Sequence, residues 1–159
     1  MTVPGRDGGP VPGLELELPA KPPFVRTARH AVAALARLHE VPEDLVEDIK
    51  LAVSEACTTA VAASGVSEGS SKEPITVTAS VNDGRIEIEV FDPNGKVARD
   101  VTGSPAEIDT EDLPFDRMLS LPIVRGLVDE VALSQESRGA RIRMVVTVTS
   151  SSSDASTSR

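Results

Sequence analysis

The sequence predicts an α+β domain: a two-layer α/β sandwich in which helices cover one face of a mostly antiparallel sheet. Three observations carry this expectation. Segments of strict apolar–polar alternation recur at 14–18, 75–81 and 86–90, which is the period of a half-buried strand. Two stretches between 22 and 64 instead place their apolar residues at helical spacing. The resulting order, strand, two helices, two strands, loop, helix, two strands, groups helices and strands rather than alternating them.

Leu14, Leu16 and Leu18 alternate with Glu15 and Glu17, and Pro19 stops that strand. Pro22 and Pro23 introduce a first helix whose Val25, Ala28, Val32 and Leu35 form an apolar stripe, with Arg26, Arg29 and Arg37 placed on the wet side. A second helix begins near Pro42, where the missing N–H has no partner to lose, and Glu43 and Asp44 complement its dipole. Its buried stripe is Leu45, Ile49, Ala52, Val53, Ala56 and Ala60, and it runs to about Ser64, where Gly65 can end it. The segment 67–73 reads as a mobile loop.

Ile75, Val77, Ala79 and Val81 on one strand and Ile86, Ile88 and Val90 on the next flank Asn82-Asp83-Gly84, so this is a hairpin. Residues 96–114 show little apolar pattern, and a loop this long is usually functional or disordered; residues 96–118 are expected to form a lid that is mobile without its ligand. Pro122 to Glu130 reads as a short helix packing Ile123, Val124, Leu127 and Val128. Val131 to Ser134 is a strand, Arg138-Gly139 turns the chain, and Ile142, Met144, Val146 and Val148 make the last strand.

The 159 residues suit one domain with tails. Residues 1–13 are rich in Gly and Pro and residues 150–159 are mostly Ser and small polar residues, so both read as disordered tails around a domain at 14–149. The chain is 40% hydrophobic but only 2% aromatic. Its core must therefore come from Val, Leu, Ile and Ala, and base-stacking platforms are lacking. The formal net charge of -9 comes without a basic run, so direct nucleic-acid binding is not expected. Cys57 is the only cysteine, and no intrachain disulfide can form. No signal-like apolar core precedes Gly13, and no segment approaches the roughly 20 apolar residues of a membrane span. The chain reads as cytoplasmic. His30 and His39 have no metal-ligand spacing around them, and neither a nucleophile elbow nor a Walker-type loop is present.

The chemistry concentrates in Ser54-Glu55-Ala56-Cys57-Thr58-Thr59-Ala60-Val61 and in Phe91-Asp92-Pro93-Asn94-Gly95. Residues four apart share a helix face, so Glu55 and Thr59 point the same way. The same spacing also suits a solvated Glu beside a packing Thr, and Asp-Pro-Asn-Gly makes a turn in any setting. The first segment resembles the helix of the GHKL (Bergerat-fold) ATP-binding family, and within it the bacterial anti-sigma-factor serine kinases, which carry Glu-Ala-x-x-Asn-Ala. Glu55, Ala56 and Ala60 match, and Thr59 stands at the Asn position. The second segment sits where that family has Asp-x-Gly-x-Gly, with Asp92 and Gly95 matching and Asn94 replacing the first Gly. Leu127-Val128-Asp129-Glu130-Val131 also looks like those bacterial proteins, and the likeness spans roughly residues 14–148.

What the resemblance implies is an ATP site with Mg²⁺. Glu55 would be the catalytic base, Thr59 the metal ligand, and Asp92 the partner of the adenine amino group. Asn94, Gly95, Arg117, Ser120 and Gly139 would line the nucleotide. Met118 and Ser120 stand where the phosphate-side glycines belong, and Gly139-Ala140 replaces the family's Gly-Thr. A hydroxyl is a poorer Mg²⁺ ligand than a carboxamide oxygen, and side chains in a phosphate loop obstruct close approach. Two functions follow. One is an anti-sigma factor that sequesters a sigma factor and phosphorylates a STAS-type anti-anti-sigma partner with weakened activity, in a family whose members are often homodimers. The other is a non-catalytic interaction module on the same fold, with weak or absent ATP binding. A sensor-kinase fragment would carry a phosphoacceptor helix pair upstream, and only one strand and one helix precede the second helix here.

Overall fold

The computed structural model describes residues 13–63, 73–93, 95 and 122–148. Its elements are β1 (Leu14–Leu18), α1 (Pro22–Leu38), α2 (Glu43–Ala63), β2 (Ile75–Asn82), β3 (Arg85–Asp92), β4 (Glu130–Glu136) and β5 (Gly139–Thr147). A further helical turn and a half lies at 122–127. The five strands form one sheet in the order β1-β2-β3-β5-β4. Every neighbouring pair is antiparallel, which agrees with the α+β expectation.

The alternation in each strand divides the sheet into two faces. Ile75, Val77 and Ala79 of β2, Ile86, Ile88 and Val90 of β3, and Ile142, Met144 and Val146 of β5 all face the helices and are buried. From above, α1 contributes Ala28, Val32, Ala33 and Ala36, and α2 contributes Val46, Ile49, Ala52, Val53, Ala56, Cys57 and Ala60. The small residues on both helices let them approach each other and the sheet closely. Burial pushes the Cys57 thiol up to about 12, so at neutral pH it is a small apolar core residue rather than a thiolate. The hairpin turn has Asp83 at φ 47° and Gly84 at φ 72°, the paired left-handed conformations of a type I′ turn.

A tight cap joins the two helices. The Glu40 N–H donates to the Arg37 carbonyl (3.0 Å) and the Val41 N–H to that of Ala36 (3.1 Å). This pairing and the buried Val41 make a Schellman motif, with Glu40 in the left-handed position at φ 56°. Arg37 then pairs with Glu43, the first residue of α2. At the other end of the core, Asp129 staples the exit of the 122–127 segment to β5. Its N–H donates to the Val145 carbonyl (2.9 Å) and its carboxylate accepts the Thr147 N–H (2.6 Å).

Several sequence expectations shift. Leu45, expected in the buried stripe of α2, is half-buried, and Val46 and Cys57 take buried positions there instead. Ile123 is 46% exposed, leaving Val124 as the buried residue of its turn. Glu130 opens β4 instead of closing the helix. The expected tails apart from Gly13, the 67–72 part of the loop and the 96–118 lid lie outside the described residues.

Candidate functional site

Asp92 is the last residue of β3 and is 4% exposed. Alternation continues through it, so its carboxyl faces the helix-covered side with Val90. Two glycine contacts frame it. The Gly95 N–H donates to the Asp92 carbonyl at 3.0 Å. A Cβ on Gly95 would come within 2.9 Å of both Asp92 Oδ2 and Ala140 Cβ, so the absent side chain keeps the carboxyl edge clear. Across the sheet Asp92 registers with Ala140. Gly139 holds φ 152° with its backbone pressed against the same strand end. A Cβ there would overlap the Asp92 carbonyl oxygen and lie 2.7 Å from Pro93 Cα.

Glu55 and Thr59 sit one turn apart on α2, both half-buried. The Thr59 hydroxyl donates to the Glu55 carbonyl at 2.9 Å. With 3.6 residues per turn they lie along one edge of the buried stripe. The opposite edge, through Thr58 and Val61, meets α1. The helix itself packs on β3, the strand that ends in Asp92. The structure thus gathers Asp92, Gly95 and Gly139 at one strand end, and Glu55 with Thr59 along one edge of the overlying helix. Asn94, Arg117 and Ser120 lie outside the described residues.

These residues fit the base end of a nucleotide. The Gly95 position is a cradle that a Cβ would fill, and a buried carboxyl beside it suits recognition of an amino group. A Mg²⁺ ion keeps several waters and takes only one or two protein oxygens, so the absence of a His/Cys/Asp/Glu cluster among the described residues does not count against it.

Sequence reasoning missed a second feature. Pro22, Val25, Arg26 and Arg29 of α1 and Thr58 and Val61 of α2 line a groove of about 280 Å³. Arg29, expected on the wet side, is half-buried here, and its Nε is fully buried without a hydrogen-bond partner. Among the described residues no carboxylate lies within ion-pair distance of Arg26 or Arg29, whereas Arg37, Arg85, Arg141 and Arg143 are all paired. The signal was available: Arg29 stands four residues from Val25 and three from Val32, at the margin of the apolar stripe rather than opposite it.

A sheet of this order under two helices, with a carboxyl-and-glycine strand end, is compatible with a nucleotide-binding class, and comparison with known proteins gives the family. The chain belongs to the histidine kinase-like ATPase domain family, whose model matches residues 18–146. It is 32% identical over 136 residues to the serine-protein kinase RsbW of Bacillus pumilus, covering 82% of this chain and 83% of that protein. Among solved structures, the SiaB–SiaC complex of Pseudomonas aeruginosa superimposes with a TM-score of 0.63 at 16% identity, over 85% of this chain and 89% of that one. The RsbU and RsbW domains of Rv1364c from Mycobacterium tuberculosis give 0.62 at 21% identity, over 87% of this chain and 32% of that longer one. These last two likenesses are of fold. Among the described residues no helix is long and apolar enough to cross a membrane.

Proposed function

We propose that the domain at residues 14–149 is a cytoplasmic anti-sigma factor of the serine-kinase type, one that binds ATP with Mg²⁺ and phosphorylates a STAS-type anti-anti-sigma protein with weakened activity. The observation that carries the nucleotide part is the buried Asp92 carboxyl, whose edge the Gly95 position keeps clear while Gly139 lies against the Asp92 backbone. Similarity to a named serine-protein kinase over most of both chains supports the kinase part. ATP supplies the transferable phosphoryl group. Asp92 would accept a hydrogen bond from the adenine amino group, with Gly95 leaving its carboxyl edge clear and Gly139 packed against its backbone. Thr59 would offer a hydroxyl lone pair to the metal while its O–H keeps donating to the Glu55 carbonyl. Glu55, on the same edge, would take the proton from the attacking serine hydroxyl as that oxygen bonds the γ-phosphorus and the bond from the γ-phosphorus to the bridging oxygen breaks, with ADP as the leaving group. The α1–α2 groove, with the Arg26 and Arg29 guanidinium groups beside Val25 and Val61 and neither in an ion pair with a described carboxylate, supports docking of a partner's acidic side chains.

One observation favours the non-catalytic reading. Thr59 replaces the family's Asn, and its hydroxyl is already engaged along the helix. Calorimetry with Mg-ATP on the wild type and Asp92→Ala, beside a phosphate-transfer assay on a STAS-type protein with Glu55→Gln as control, separates the two. Mg-ATP binding that needs Asp92 and transfer that needs Glu55 are expected. A wild type that retains a sigma factor in pull-down but binds no nucleotide establishes the interaction module instead.

A further inference from the structure

The face of the sheet turned away from the helices carries an arginine–glutamate lattice. Arg143 of β5 forms a two-armed pair with Glu87 of β3, both N–O distances being 2.7 Å. Arg85 reaches Glu130 of β4 at 3.0 Å. Arg141 differs from both. Its guanidinium is shared between Glu89 of β3 and Glu136 of β4, and it lies 5.1 Å over the ring centre of Phe91, its direct cross-strand partner. One side chain therefore ties three strands together. It does so one residue away from Asp92, since Phe91↔Arg141 is the register pair next to Asp92↔Ala140.

The contacts continue into the site. On β4, the Gln135 amide nitrogen donates to the Gly139 carbonyl (2.8 Å) and the Glu136 carbonyl (3.1 Å), closing the turn between β4 and β5. Gly139 in turn abuts the carbonyl of Asp92, and that carbonyl accepts the Gly95 N–H. The geometry points to Arg141 as a positioning residue: from the outer face of the sheet it clamps the ends of β3, β4 and β5, and so fixes where the Asp92 carboxyl stands on the inner face. This rests on the reading of Asp92 as the adenine partner. Arg143 makes the same kind of ion pair on the same face two residues further along β5, and so supplies an internal control.

Two readouts test the clamp on Arg141→Met, Arg141→Lys and Arg143→Met. The first is the preference for Mg-ATP over Mg-GTP, because guanine presents a carbonyl where adenine presents its amino group. Arg141→Met lowers ATP affinity about fivefold or more and narrows the preference, while Arg143→Met leaves the preference at its wild-type value. Arg141→Lys falls between, because one ammonium group lacks the fork that spans two carboxylates. A role in stability alone would weaken both arginine-to-methionine variants and leave the preference intact. The second readout needs no nucleotide: hydrogen exchange at the Gly95 amide is faster in Arg141→Met than in Arg143→Met. ATP bound through Asp92 but with equal preference in both variants overturns the clamp and spares the nucleotide reading. A wild type that binds no nucleotide overturns that reading, and the Gly95 amide then decides the clamp alone, equal exchange in the two variants sinking it.

Discussion

The backbone of Gly139 lies so close to the carbonyl of Asp92 that no side chain fits between them, and its φ of 152° is one that L residues rarely adopt. These two residues come from strands far apart in the chain, yet they shape one strand end. Gly139→Ala is expected to lower stability by about 2–4 kcal/mol through combined backbone strain and overlap. The variant should also lose nucleotide affinity, because relief of the overlap displaces Asp92. Urea unfolding gives the first number and calorimetry the second. Wild-type stability in Gly139→Ala would mean that the strand end yields freely.

Thr59→Asn restores a carboxamide oxygen where the family has one. Affinity for Mg-ATP is expected to rise about tenfold, the worth of one hydrogen-bond-scale contact to a charged group. The gain should vanish in EDTA, since it acts through the metal. Asp92→Ala, by contrast, should weaken binding with or without Mg²⁺. Titration calorimetry on the two variants checks both statements, and a metal-independent gain in Thr59→Asn would assign the new amide to a contact with nucleotide instead.

Acid should weaken the outer face of the sheet. The Arg143 hydrogen bonds hold the Glu87 carboxyl below its ordinary value of 4.5, and Arg141 does the same for Glu136. A carboxylate whose folded value is depressed contributes stability in full above the unfolded value, and loses it as pH falls through the folded one. Stability should therefore decline below about pH 4.5, and Glu87→Gln should flatten that acid limb without altering its neutral plateau in slope. Partial exposure of the pair keeps the effect modest. Thermal melts from pH 7 to pH 3 report it, and identical acid limbs in the variant and the wild type would show that Glu87 carries none of it.

Glu40 occupies a left-handed cap position that suits glycine. Glu40→Gly should raise stability by up to about 1 kcal/mol, the typical cost of a left-handed conformation in an L residue less the extra chain entropy of glycine. The ion pair that follows, between Arg37 and Glu43, does not involve Glu40, so no compensating loss is expected. A lower denaturation midpoint in Glu40→Gly would show that its side chain contributes more than the backbone conformation costs.

Much of the fold was legible in the residues taken one segment at a time. Alternation located β1, β2 and β3, Asp83-Gly84 marked the hairpin, and the apolar stripe bounded α2 to within a residue or two. The likeness between Leu127–Val131 and bacterial serine kinases was visible, but not its use. Asp129 turns out to hold the 122–127 segment onto β5 through two backbone contacts, and such contacts leave no periodic trace.

Period and spacing determined which residues face the core, because 3.6 and 2.0 are properties of a single element. They also placed Glu55 beside Thr59 and put Asp92 next to a glycine turn. They could not determine which strand lies beside which, since any apolar face can pack on any other. The order β1-β2-β3-β5-β4 is a tertiary outcome. It sets Gly139 against Asp92 and stretches Arg141 across three strands, while the packing of α1 on α2 leaves Arg29 half-buried in the groove between them. Each of these depends on register between distant segments, and register is decided only when the helices and the sheet bury their apolar faces together.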